Sequence, residues 1–92
     1  MRFEFAPSFE RSIKRLPPDR KSLIKKSVAK FMDFTETGIK PEGLGLKHLR
    51  GNYWEIRATI RDRIIMLFVK DLIKFIIAGN HDEIRAFLKN VH

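Results

Sequence analysis

At 92 residues the chain is long enough to bury one core and too short to bury two, so a single domain over residues 1–92 is expected. An apolar fraction of 43% excludes global disorder, and the lack of any cysteine excludes disulfides, zinc ribbons and thiol catalysis and suits a reducing cytosol. Nineteen Lys and Arg against 11 Asp and Glu leave a net charge of +8 and a pI near 10.2, which favours a polyanionic partner through long-range attraction and counterion release.

Ribosome-associated proteins, binders of acidic partners and membrane-surface proteins share such a balance. The start, MRFEFAPSFERSIKRLPP, has no uninterrupted apolar stretch, so no signal peptide is expected. The longest apolar run, Ile64 to Val69, is six residues and too short to span a bilayer. A cytoplasmic protein with no membrane partner is the expectation.

Met1 to Phe5 alternates, with Phe3 and Phe5 on one side and Arg2 and Glu4 on the other, which predicts a short strand with one buried face. Pro7 suits the first turn of a helix, whose apolar side is Phe9, Ile13 and Leu16 and which Pro17-Pro18 stops. Asp19 then sits where a new helix dipole favours an acid, and Leu23, Ile24, Val28, Phe31 and Phe34 form a second stripe ending near Gly38. Ile39 to Asn52 holds Pro41, Gly43, Gly45 and Gly51 and reads as a loop carrying Lys40, Lys47, His48 and Arg50.

The second strand, Tyr53 to Ile60, sets Trp54, Ile56, Ala58 and Ile60 against Tyr53, Glu55, Arg57 and Thr59. Arg61-Asp62 reverses the chain into a third strand, Arg63 to Val69. Lys70-Asp71 turns into a fourth, Leu72 to Ala78, apolar enough to be central. Gly79 breaks it, and Asn80 with Glu83 makes a capping-box pattern for a last helix whose apolar side is Ile84, Phe87, Leu88 and Val91. The order β-α-α-β-β-β-α predicts an α+β domain, a four-stranded, largely antiparallel sheet packed on an N-terminal helical hairpin. All helices are expected on one face, with the other open and partly polar.

Several residues on this frame carry chemistry. Arg57 reads either as a solvated arginine paired to Glu55 or as a guanidinium held on a rigid strand to grip phosphate. Arg63 depends on the hairpin. A two-residue turn at Arg61-Asp62 sends it to the face away from Arg57, while a three-residue loop, Ile60 to Asp62, pairs it with Thr59 and puts both arginines on one face. The odd loop is favoured because it also groups Ile64, Met66 and Phe68 with Trp54 and Ile56.

His81, at the start of the last helix, reads as a surface residue or as a general acid–base near neutral pH. Lys47, His48 and Arg50 are a solubilising loop or a phosphate-positioning arm, and Tyr53 either stacks on a base or simply packs. His48 and His81 stand too far apart to suggest metal ligation, and His92 is discounted as a terminus.

Together these pieces resemble the RelE/ParE toxins, the poison halves of bacterial toxin–antitoxin pairs. The resemblance spans nearly the whole chain. It rests on the amino-terminal strand, the helical hairpin with its proline turn, the segment Lys47-His48-Leu49-Arg50-Gly51, and the strands Trp54 to Arg57 and Arg63 to Phe68. The last strand running into Gly79-Asn80-His81 completes it.

The resemblance implies cleavage of mRNA, often on the ribosome, by attack of the RNA's own 2′-hydroxyl on the adjacent phosphate, with no metal or cofactor. By position it assigns phosphate stabilisation to Arg57 and Arg63 and proton transfer to His81. Lys47, His48, Arg50, Tyr53, Arg61 and Arg85 are the residues expected to bind RNA beside them. It also implies a cognate antitoxin, whose complex with the toxin binds operator DNA through the antitoxin.

Two departures stand out. Phe87 takes the place of a helix tyrosine used by ribosome-dependent members, and the acids and histidines of the histidine-using branch are sparse here. A ParE-like, non-enzymatic inhibitor of DNA gyrase, or an inactive toxin kept as an antitoxin-binding partner, is therefore the alternative.

Overall fold

The computed structural model describes residues 1–91, so His92 lies outside it. In chain order the elements are β1 (Arg2–Phe5), α1 (Pro7–Lys14), α2 (Pro18–Thr37), β2 (Lys47–Arg50), β3 (Tyr53–Arg57), β4 (Asp62–Val69), β5 (Leu72–Asn80) and α3 (His81–Lys89). One mixed sheet runs β1-β5-β4-β3-β2. Its β1–β5 pair is parallel, and the other three are antiparallel. The α+β class, the helical hairpin and the interior place of the last strand are as expected.

The sheet has one strand more than the expected four. Lys47 to Arg50 pairs with β3 as β2, although its flanking glycines and dense charge read as loop. Charged side chains suit an edge strand because they discourage further pairing. His48 lies across from Trp54, with ring centroids 4.8 Å apart.

The hairpin helices cover one face. Ile24, Val28 and Phe31 of α2 and Phe9 of α1 meet Ile56, Ile64, Met66, Ile73, Phe75 and Ala78 in a single core. Phe75 is the hub, with ring centroids 5.0 Å from Phe5, 5.9 Å from Phe9 and 6.2 Å from both Phe3 and Phe31. β1 pairs only with Leu72 to Phe75, which leaves the edge of β5 bare beyond that point. α1 fills the gap: Ser8 Oγ donates to the Ile76 carbonyl, and Ser12 Oγ accepts from the Ala78 amide at 3.1 Å. Buried backbone groups need such partners, each worth about 1 kcal/mol.

The opposite face is not open as expected, because α3 folds back onto it. Ile65 and Ile84 are buried outside the main core, and Tyr53 meets Phe87 edge-on at 6.3 Å. The apolar residues on α3 needed a surface, and the hairpin helices already occupied the first one.

Gly79 does not end the strand but belongs to β5. A Cβ there would stand 3.0–3.2 Å from the Glu83 side chain, so glycine lets the first turn of α3 close against the sheet. The expected capping box forms: Glu83 N donates to Asn80 Oδ1 at 2.9 Å, and Asn80 N donates to Glu83 Oε1 at 3.0 Å. Among the described residues no helix is long and apolar enough to cross a membrane.

Candidate functional site

Ile56 faces Ile64 and Trp54 faces Met66, so Arg57 and Arg63 are direct cross-strand partners on the face that carries α3. Their Cα atoms are therefore about 4.5–5.5 Å apart. The parity of the odd loop is right, although Arg63 pairs with Arg57 rather than Thr59. Ala58 to Arg61 makes the connection, and Thr59 closes it. Its Oγ1 accepts from Arg61 N at 3.1 Å and Asp62 N at 3.0 Å, while Ala58 N and Thr59 N donate to the Asp62 carbonyl at 3.0 and 3.2 Å. A threonine three residues before an aspartate is a local turn signal legible in the sequence.

The two arginines differ in freedom. Arg63 Nε lies 3.8 Å from Glu55 Oε2, and its Nη1 donates to the Thr59 carbonyl at 3.1 Å. Among the described residues, Arg57 is exposed and its side chain enters no hydrogen bond or ion pair. Glu55 thus pairs with Arg63, not with Arg57. The base of Arg57 is set by the loop before β2: its amide donates to the Leu44 carbonyl at 2.8 Å, and Gly45 packs beside it at φ +62°. A Cβ at Gly45 would stand 3.1 Å from Arg57 Cβ. Nothing in the local sequence marks Gly45, since the contact joins loop to strand.

The row continues from Arg63 to Gly79 on β5, and His81 follows two residues later as the first residue of α3. Arg57, Arg63 and His81 therefore share one end of the sheet. His81 is exposed and makes no hydrogen bond among the described residues.

The remaining cationic residues split into groups. Lys47, His48, Arg50 and Arg85 line one shallow cleft between β2 and α3, together with Lys89. Arg50 is engaged there, its Nη2 donating to the Leu88 carbonyl and, at 2.8 Å, to that of Val91, which ties down the carboxyl end of α3. The His48 ring turns to Trp54, and its Nε2 lies 2.8 Å from the Gly51 carbonyl oxygen. Tyr53 is half-buried under Phe87. Arg61 stands apart on the exposed hairpin tip beside Ile60. Among the described residues no three His, Asp or Glu side chains gather as a metal site would require.

Sequence reasoning missed the strongest electrostatic contact. Arg20 on α2 grips Asp62 through two bonds, Nη2 to Oδ1 at 2.6 Å and Nε to Oδ2 at 3.1 Å. The Asp62 side chain is 1% exposed, and it begins the strand that carries Arg63. Asp62 also lies across from Asn80, the cap of α3. The hydrogen bonds that Arg20 donates to Asp62 raise the Arg20 pKa, burial opposes the rise, and the charges of Asp62, Glu83 and Asp19 add to it.

No protein-family model and no curated protein sequence matches the chain. Solved structures do. RelE in the RelB–RelE antitoxin–toxin complex from Methanococcus jannaschii is similar, with a TM-score of 0.68 at 22% identity over 91% of this chain and 96% of that one. YafQ from E. coli strain BL21(DE3) has a TM-score of 0.69 at 14% identity over 91% of this chain and 98% of its own. A Staphylococcus aureus YoeB, solved as a dimer, has a TM-score of 0.64 at 18% identity over 88% of this chain and 97% of that one. At such low identity the likeness concerns architecture, and it covers nearly all of each chain: the protein has the fold of the RelE/ParE toxins.

Proposed function

We propose that the protein is the toxin of a type II toxin–antitoxin pair and acts as an endoribonuclease on mRNA at the ribosome, inhibiting translation. The observation that supports this most is the cross-strand pair of Arg57 and Arg63, one guanidinium free and the other braced, with a histidine at the same end of the sheet. In the proposed reaction the 2′-oxygen of the RNA attacks the adjacent phosphorus and the bond to the 5′-oxygen breaks. The products are a 2′,3′-cyclic phosphate and a 5′-hydroxyl. The nucleophile comes from the RNA, so the scheme calls on no metal or cofactor.

Arg57 would meet the charge that builds on the crowded phosphate, and Arg63, fixed by Glu55 and Thr59, would hold its flank. His81 would take the 2′ proton or return one to the leaving oxygen. Lys47, Arg50 and Arg85 around the β2–α3 cleft would position the backbone, joined by His48, Tyr53 and Arg61 if the strand runs on.

The neighbours solved as RelB–RelE and DinJ–YafQ complexes support a cognate antitoxin here too. A groove between α1 and α2, floored by Phe5, Phe9, Ile13 and Val28, offers apolar surface for such a partner, with Phe5 43% exposed. Operator binding by the pair would go through the antitoxin.

The test is cleavage of a messenger programmed on ribosomes, with free RNA alongside, by wild type, Arg57→Ala and His81→Ala of matched stability. Site-specific cuts that fall about 100-fold or more in each variant are expected. Cuts that survive His81→Ala would remove that residue from proton transfer. An inert wild type would turn the reading to gyrase binding or an inactive toxin.

A further inference from the structure

Arg20 and Asp62 form the shortest ion pair among the described residues, yet the reaction scheme above does not use them. We propose that Arg20 is a positioning residue of the candidate site: through its fork onto Asp62 it sets where Arg63 and His81 stand relative to each other, without touching RNA. The inference rests on the function proposed above for the reaction that this placement serves. The link from Arg20 to the two side chains is a matter of structure alone.

The bonds around Asp62 carry the argument. Side chains alternate along β4, so Asp62 points to the hairpin helices with Ile64 and Met66, while Arg63 points to the face that carries α3. α2 therefore reaches the site through the strand rather than around its edge. Toward Arg63, the Asp62 amide donates to Thr59 Oγ1 at 3.0 Å, and the Asp62 carbonyl accepts from the amides of Ala58 and Thr59 at 3.0 and 3.2 Å. The Thr59 carbonyl, held by this turn, accepts from Arg63 Nη1 at 3.1 Å. Toward His81, Asp62 pairs across the sheet with Asn80, the cap of the helix that His81 begins. Glu83, the other half of that cap, is near enough for its charge to add to the rise in the Arg20 pKa. Arg20 thus grips a residue that is bonded into both arms of the site.

Folding stability does not call for an ion pair here, because a buried pair contributes little beyond what apolar packing would. What the fork adds is direction: its two bonds, at 2.6 and 3.1 Å, fix the angle of the carboxylate as well as its distance. The hairpin tip has few other restraints. Ile60 is 94% exposed, and among the described residues the further hydrogen bond from α2 to this segment is a long one, 3.5 Å from Ser27 Oγ to the Ala58 carbonyl. Arg20 Nε and Nη2 are both committed to Asp62, which suits positioning rather than contact with RNA.

The experiment compares wild type, Arg20→Met/Asp62→Leu, Arg20→Lys and the control Arg2→Gln/Asp71→Asn, which removes the exposed ion pair beyond the other end of β4. Cleavage of a ribosome-programmed messenger is measured at a temperature where all four are folded. The double variant should melt close to wild type, since apolar packing replaces the pair. Its kcat should nonetheless fall about 10- to 100-fold, the loss that a displacement of about 1 Å produces, with KM changed by less than about threefold. Arg20→Lys keeps the charge and loses the fork, so its kcat should fall as well. The control should match wild type in both constants. Side-chain NMR of Arg63 Nε–H and of the His81 ring reads the placement without RNA. It is done on Arg20→Lys, whose change lies on α2 and leaves β4 as it is; both signals should move there and stay put in the control. Full kcat in the folded double variant, or unmoved signals in Arg20→Lys, would overturn the proposal. A raised KM with kcat kept would place Arg20 in RNA binding and overturn it too. An inert wild type whose signals still move in Arg20→Lys would count against the nuclease reading and not against the link.

Discussion

The buried pair of Arg20 and Asp62 makes the sharpest stability prediction, because its two partners differ in their access to water. The Arg20 side chain is 22% exposed and the Asp62 side chain 1%. Arg20→Met keeps the aliphatic stem but leaves a carboxylate buried without its counter-charge, which costs about 3–5 kcal/mol. A domain of this length holds about 5–14 kcal/mol in all, so the loss is a large share. With a urea m-value of about 2 kcal/mol per molar, the midpoint should fall by about 2 M. Asp62→Asn strands instead a guanidinium that can turn toward solvent and should cost only about 1–2 kcal/mol. Replacing both, as Arg20→Met/Asp62→Leu, should restore most of the stability, since a buried pair gains little over apolar packing. The assay is urea denaturation of the four proteins, read as a double-mutant cycle. A midpoint for Arg20→Met equal to that of Asp62→Asn, or a double variant no better than Arg20→Met, would refute the reasoning. The pH dependence has a defined sign. The folded-state pKa of Arg20 is raised, so its contribution is complete below the unfolded value and is lost only as pH rises through the folded one. That window is strongly alkaline, so the arginine side of the pair adds no slope to stability between about pH 5 and 9.

Two further outcomes follow from the site. Arg57→Ala should change stability by less than about 0.5 kcal/mol, since its guanidinium has no partner among the described residues, whereas Arg63→Ala should cost about 1–2 kcal/mol by leaving Glu55 unpaired at 16% exposure; equal losses by urea denaturation would contradict the difference in their contacts. Gly79→Ala presses on Glu83 and should break the capping box, at a cost of about 1 kcal/mol, with faster amide exchange in α3 than in the sheet; unaltered exchange in α3 would show that Glu83 adapts without leaving the cap.

What the sequence determined by itself were the features set by short-range chemistry. Alternation placed the strands, the proline turn divided the helices, and Asn80 with Glu83 announced the last helix three residues ahead of its proof in the hydrogen bonds. Side-chain parity put Arg57 and Arg63 on one face, because a period of two leaves only two choices and the apolar set of Ile56, Ile64 and Met66 had to share the core. The tertiary structure decided what distance in the chain conceals. Lys47 to Arg50 becomes a strand because β3 offers an edge, not because its residues prefer one. α3 takes the second face because the first is filled, and Arg50 is drawn from a basic segment to the end of that helix. Arg20 meets Asp62 across 42 positions, and Gly45 makes room for Arg57. Which cations are spoken for and which stay free is a property of packing, since a charge finds its partner only after the backbone has brought the two together.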